Sequence, residues 1–273
     1  MRSTLQAAYD VDLKNRSDKV QLAAVGKFVE YDDLTEATHE LVRLWRQLER
    51  MLALQRRGGD TPYHQSESPL VTRCARAAHS ALAALMNIVL PSSRGMEIRT
   101  LEEPLAAAPP PAEKRNVLVG PATDGSFVMS FDYFKNYKTL GRQQVQLPVN
   151  KDLTDALHAV LYTYRTVLVG RNKHRFVFMG PSGKPYNSSG AWTAALNAVF
   201  AAPLAMVAPV ANGVITPRVG VNVMRKSTVT KKLPACQTPA ERANRSQRQC
   251  AMDCGLRVTT TTVQPRVSAL PPQ

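Results

Sequence analysis

Apolar positions recur at helical spacing in the first part of the chain. Leu41, Leu44, Trp45, Leu48, Met51 and Leu52 fall on one face of a helix. Asp33 or Thr35 supplies its cap, and Gly58-Gly59 ends it after Arg57. The stripe reads as a face packed into a core. A polar stretch over 58–68 follows and marks a domain boundary. A second helix, rich in Ala, Leu and Met, is predicted from Pro69 to Leu90, where Pro91-Ser92-Ser93 stops it. A short helix is expected around Arg94–Leu101, then a loop over 106–114.

The period then changes. Asn116–Val119, Phe127–Phe131 and Gln143–Leu147 alternate as strands, with turns at Thr123-Asp124-Gly125 and near Gly141. Leu153, Leu157, Val160, Leu161 and Tyr164 mark another helix. Phe176–Met179 reads as a short strand before the turn Gly180-Pro181-Ser182-Gly183. Ser188 or Ser189 caps a helix through Phe200, and a last helix beyond Pro217 holds Val223–Lys232. The order gives an α+β protein, mostly helical, with a small antiparallel three-stranded sheet. A helical N-terminal region spans 1–60, the main domain 69–258, and a flexible tail 259–273.

Charge adds a partner to this outline. The 273 residues carry 35 Lys and Arg against 21 Asp and Glu, a net charge of +14. Such an excess favours a polyanion, whose counterions it releases. From Ala211 to Gln273 there are ten basic residues and two acids, so this stretch alone holds +8. The four cysteines are irregularly spaced and form no Cys-x-x-Cys pair, which fits a reducing compartment without structural zinc. The N-terminal stretch lacks the apolar core of a secretory signal. The apolar run near Ala198–Ile215 is interrupted by Pro203, Pro209, Asn212 and Gly213, which argues against a membrane span. The expected setting is intracellular, the nucleus in a eukaryote and otherwise the cytoplasm, with no membrane partner.

Three local patterns carry the candidate chemistry. The first is Pro91-Ser-Ser-Arg94-Gly-Met-Glu97, which places an arginine and a glutamate one turn apart. The second is Tyr137-Lys138-Thr139-Leu-Gly-Arg142, on a hairpin whose outgoing strand ends at Leu147-Pro148. The third is Asn222-Val-Met-Arg225-Lys226-Ser-Thr, where an arginine enters a helix among further cations. Taken singly, these are a surface ion pair, a solubilising lysine and a solvated basic helix.

Their order and spacing resemble the catalytic domain of tyrosine recombinases, the phage-integrase type, over roughly residues 69–258. The family carries an arginine and a glutamate three residues apart after an apolar helix, then a hairpin lysine. Much later it carries His-x-x-Arg at a helix start. Arg94 and Glu97 match the first pair, Lys138 the hairpin lysine with Lys135 as rival, and Arg225 the second arginine. The resemblance implies double-stranded DNA as partner, and leaves a homo-oligomer on that DNA open. It implies site-specific recombination or integration, with no cofactor and no metal. Two forked guanidiniums would hold the phosphate, and the lysine would protonate the departing sugar oxygen. Lys135, Arg142, Lys226, Lys231 and Lys232 are further DNA-contact candidates.

The chain departs from the family at the steps that make it an enzyme. Asn222 stands at the histidine of His-x-x-Arg, and Leu256 at the next family histidine. No tyrosine follows Tyr186, whereas the family's nucleophile lies beyond the second arginine. A DNA-binding protein of the integrase type that does not cut is therefore expected. The alternatives are a recombinase with an unusual or trans-donated nucleophile, and a basic nucleic-acid-binding protein without enzymatic activity.

Overall fold

A computed structural model of the chain describes residues 29–57, 68–89, 95–105, 114–122, 125–133, 141–207, 219–220, 223–224 and 258–259. The first helix, α1, runs over Tyr31–Arg57. It starts earlier than its capping residues suggest, because Thr35 bonds back to the Tyr31 carbonyl at 2.9 Å and so lies inside the helix. Its buried face is Leu34, Ala37, Thr38, Leu41, Val42, Trp45, Leu48 and Leu52. Leu44 and Met51, expected on that face, are about half exposed.

The second helix, α2 (Pro69–Val89), packs along α1. Small residues make the close approach possible: Cys74, Ala75, Ala78, Ala81 and Ala84 are all fully buried. Arg46 ties α1 to the helix that follows the sheet. Its guanidinium bonds the Asp155 carboxylate, lies 3.4 Å from Asp152 and sits over the Trp45 ring, 4.2 Å from its centroid. Burial acts to raise the Asp155 carboxyl, and the hydrogen bonds from Lys151 and Arg46 outweigh it, so Asp155 lies below its ordinary value.

After the short helix α3 (Met96–Arg99) come β1 (Leu101–Leu105), β2 (Asn116–Val119), β3 (Val128–Phe131) and β4 (Gln143–Gln146). The sheet is mixed and has four strands in this order, with the two residues β5 (Val258–Thr259) antiparallel beyond β4. The three expected strands are present and antiparallel in sequence order. The addition is β1, which runs parallel to β2. Leu-Glu-Glu-Pro-Leu does not look like a strand, since proline and paired acids are poor strand formers. Its place at the sheet's edge tolerates Pro104, and its acids are neutralised: Glu102 by Arg115 and Glu103 by Arg165.

Asn150 caps α4 (Lys151–His158) by accepting the Leu153 N–H at 3.1 Å. The expected single helix is broken by a π turn over Ala159–Thr163, then continues as α5 (Arg165–Val169). Tyr164, just after that turn, is 2% exposed, and its hydroxyl lies 3.4 Å from Glu49. Phe176–Met179 makes two isolated bridges, with Glu102 and Pro185, and is not a full strand. The last long helix, α6 (Ser189–Val207), begins after Ser188, whose hydroxyl accepts the Ala191 N–H. It runs past Phe200 with Pro203 inside it. By length and composition α6 could cross a membrane, yet Trp192, Leu196, Phe200 and Leu204 on it are core residues.

One continuous apolar core takes in α1, α2, the sheet, α4 and α6. Leu82→Ala, at a fully buried position, is expected to cost about 2–5 kcal/mol in urea unfolding, whereas Leu54→Ala should stay within about 0.5 kcal/mol. Equal losses at the two positions would mean that the outer face of α1 is covered by something.

Candidate nucleic-acid interface

Most of the candidate residues lie outside the described residues: Arg94, Lys135, Lys138, Asn222, Arg225, Lys226, Lys231, Lys232 and Leu256. What the structure does fix is the framework from which each of them leaves. Arg94 directly precedes Gly95, whose φ of 78° opens the turn into α3. Glu97, in the first turn of α3, is 7% exposed, so its carboxylate is held inside the protein.

The end of α3 is joined to the base of the hairpin by one buried side chain. Asn116 at the start of β2 is 1% exposed. Its amide nitrogen donates to the Thr100 hydroxyl and to the Tyr133 carbonyl, both at 2.8 Å. Its amide oxygen accepts the N–H groups of Asp132 at 3.1 Å and Tyr133 at 2.8 Å. Thr100 in turn donates to the Met96 carbonyl at 2.6 Å. Thus Tyr133 just after β3, beyond which Lys135 and Lys138 follow in sequence, is tied to the helix that follows Arg94.

The same segment is closed on its other side by Arg142 and Asp132. Asp132 is fully buried and receives the Arg142 Nε–H at 2.7 Å, with a second bond from Nη2. The Arg142 side chain is 14% exposed. Its guanidinium is engaged in holding the hairpin's base, a task that a count of DNA-contact candidates does not anticipate. Nothing in the sequence marks Asp132 as its partner except that both flank the hairpin.

The third candidate segment is anchored through α6. Val219, Val223 and Met224, just before Arg225, are core residues. The Gly220 carbonyl accepts the N–H groups of Val223 at 2.9 Å and Met224 at 3.0 Å, which starts a helical turn. A Cβ on Gly220 would lie 2.7 Å from the Thr193 methyl on α6, so this approach suits glycine. One residue earlier on α6, the Trp192 ring packs on Tyr186, centroids 5.2 Å apart. The Tyr186 carbonyl accepts a bond from Arg99 at 3.0 Å. The first turn of α6 therefore braces both the helix after Arg94 and the residues before Arg225.

The loop carrying Tyr186 is held from below by His79 on α2. Its Nε2 accepts the Met179 N–H at 3.3 Å, and its ring packs on Phe178. Burial, helped by the positive charge of Arg165, lowers the His79 pKa from 6.5 to about 4. Tyr186 shows the reverse chemistry to an activated nucleophile, since burial raises its phenol above the ordinary value. Tyr133 is 49% exposed at the hairpin base. No family model, curated protein or solved structure matches this chain.

Two outcomes are expected from this geometry. Arg142→Ala leaves the Asp132 carboxylate buried and unpaired, a loss of about 3–5 kcal/mol in chemical unfolding. The double variant D132A/R142A should recover much of it. A loss within about 0.5 kcal/mol for Arg142→Ala, the norm for exposed positions, would show that the pair does not hold the hairpin. His79 is kept neutral in the fold while the unfolded chain protonates near 6.5. Its contribution is therefore complete above that value and lost as the pH falls from 6.5 towards 4. Thermal melts over this window should show a steeper decline for wild type than for His79→Gln; identical slopes would remove His79 as the cause.

Proposed function

We propose that this chain binds double-stranded DNA with a domain of the tyrosine recombinase type and does not cleave it. Arg94, Arg225 and Lys138 would surround one backbone phosphate, the arginines as forked donors and the lysine as a point charge. The observation that carries this reading is the double tether of their segments. Asn116 joins the helix after Arg94 to the base of the hairpin, and the first turn of α6 braces that helix and the residues before Arg225. On this reading the three cations, far apart in sequence, would extend from these neighbouring supports.

The lack of cleavage rests on the nucleophile. A phosphoryl transfer of this kind needs an activated hydroxyl that attacks and remains linked to the DNA. Downstream of Arg225 the sequence offers no tyrosine. Upstream, Tyr186 is packed on Trp192 with its phenol less acidic than usual. Asn222, in place of histidine, cannot move a proton near neutral pH.

Labelled duplex DNA titrated with the full chain at two salt concentrations tests the reading. Binding should weaken steeply with salt, and R94A/R225A should bind clearly less tightly than wild type, with a slope shallower by about 0.9 for the one phosphate the two arginines hold. A nicked suicide substrate should yield no covalent adduct. Unchanged binding by the double variant would end the phosphate-site reading, and an adduct would end the claim that the protein does not cut.

A further inference from the structure

The charge of the chain is divided unevenly by its acids. From Ala156 to Ala240 there are ten Lys and Arg and no Asp or Glu. Arg165 is consumed by the fold, donating to the Phe176 and His174 carbonyls and pairing with Glu103. Arg171, Lys173, Arg175 and Lys184 are all exposed, and none makes an ion pair among the described residues.

Two of these cations, Lys173 and Arg175, lie on one irregular stretch, and Arg171 lies in the turn just before it. Residues 172–175 have no helical or turn structure and lead to the bridge between Phe176 and Glu102. Extended backbone sends alternate side chains to opposite faces. The inward set is Asn172, His174 and Phe176, each less exposed than its neighbours. The outward set is Arg171, Lys173 and Arg175, each exposed and alternating with the less exposed residues.

The inward set is locked, so the outward set is presented by a rigid support. Asn172 donates to the Val169 and Ser182 carbonyls, both at 2.9 Å. The His174 Nε2–H donates to the Gly183 carbonyl at 2.6 Å while its Nδ1 accepts the Phe176 N–H at 3.2 Å. Gly183 has φ of 73°, and a Cβ there would meet the Val169 carbonyl oxygen at 2.5 Å, so two loops are clasped backbone to backbone. At its far end the stretch is fixed to β1, where the Arg175 carbonyl accepts the Glu103 N–H at 2.8 Å. Lys184 sits on the clasped partner loop.

We propose that Arg171, Lys173 and Arg175, flanked by Lys184, form a second contact strip for the phosphate backbone of DNA, separate from the segments that carry Arg94, Lys138 and Arg225. A group of cations displayed on a pre-ordered edge meets a row of phosphates with little ordering cost, and reads no bases. The partner class, DNA, rests on the proposed function; the strip's existence as a cation row does not. Cations also guard sheet edges against pairing with other chains, and a strip with that role alone has no influence on DNA affinity.

The test compares the salt dependence of duplex binding for wild type, R171A/K173A/R175A and R94A/R225A, with thermal melts to confirm that each variant is folded. The triple substitution touches outward side chains only, so its melting temperature should match wild type. The strip predicts a slope of log K against log salt shallower by about 2.7 for the triple variant, at about 0.9 for each of three phosphates. An unchanged slope in the triple variant overturns the strip, even where R94A/R225A loses affinity and the site reading stands. A reduced slope in the triple variant with an unchanged R94A/R225A establishes the strip and overturns the site. No salt-dependent binding by wild type overturns both, and points the exposed cations to an acidic protein segment instead.

Discussion

The buried amide of Asn116 is the constraint on which the candidate interface depends. A primary amide offers two donors and one oxygen with two lone pairs, and here each of these is used. A buried amide left half satisfied costs free energy, so an arrangement that satisfies it fully also selects one geometry. The consequence is mechanical. The C-terminal end of α3, the start of β2 and the exit of β3 cannot shift independently, and the hairpin above them inherits a fixed base. Asp132, the neighbour of Tyr133, adds its own requirement, because its buried carboxylate is held by the Arg142 guanidinium.

The parts of the fold that were legible in the sequence are those where one rule dominates. Asn116–Val119 and Gln143–Leu147 alternate and are strands, and α2 is a run of strong helix formers between a proline and a Pro-Ser-Ser stop. The parts that were not legible are those where tertiary contacts outweigh local preference. Leu101–Leu105 has two glutamates and a proline, and becomes a strand because Arg115 and Arg165 neutralise the acids and the edge position excuses Pro104. The π turn before Tyr164 leaves no pattern in Ala159–Thr163; it shows only in which side of the helix is buried. In the site, motif spacing found Arg94, Lys138 and Arg225 as candidates but passed over Asn116, Asp132 and Tyr186. Supports of this kind have no motif, since their role comes from what the fold brings to them. The signal that existed was Asp132 and Arg142 at matching positions on either side of the hairpin.

The ion pairs of the described residues sort the chain's cations into two groups. Arg46, Arg115, Arg142 and Arg165 each face a carboxylate across the fold, at α4, at β1, across the hairpin base, and between α5 and β1. These four hold elements together and are spoken for. Their partners, Glu102, Glu103, Asp132 and Asp155, all lie at or before position 155, where the supply of acids stops until Glu241. Every cation in between, apart from Arg165, therefore has no acid within its own stretch of sequence to meet.

That asymmetry carries the electrostatic argument further than the net charge does. A total of +14 spread among paired residues would attract a polyanion weakly, because each paired cation is already screened by its partner. Ten cations in a segment without acids, part of them displayed on a clasped edge beside α5, give a local field of one sign. Among the described residues, the acids pair with cations that hold the framework, and Arg171, Lys173, Arg175 and Lys184 make no ion pair. Under the proposed function a polyanionic partner would supply countercharge, with the two arginine-bearing segments and the strip at Arg171–Arg175 as separate places for it.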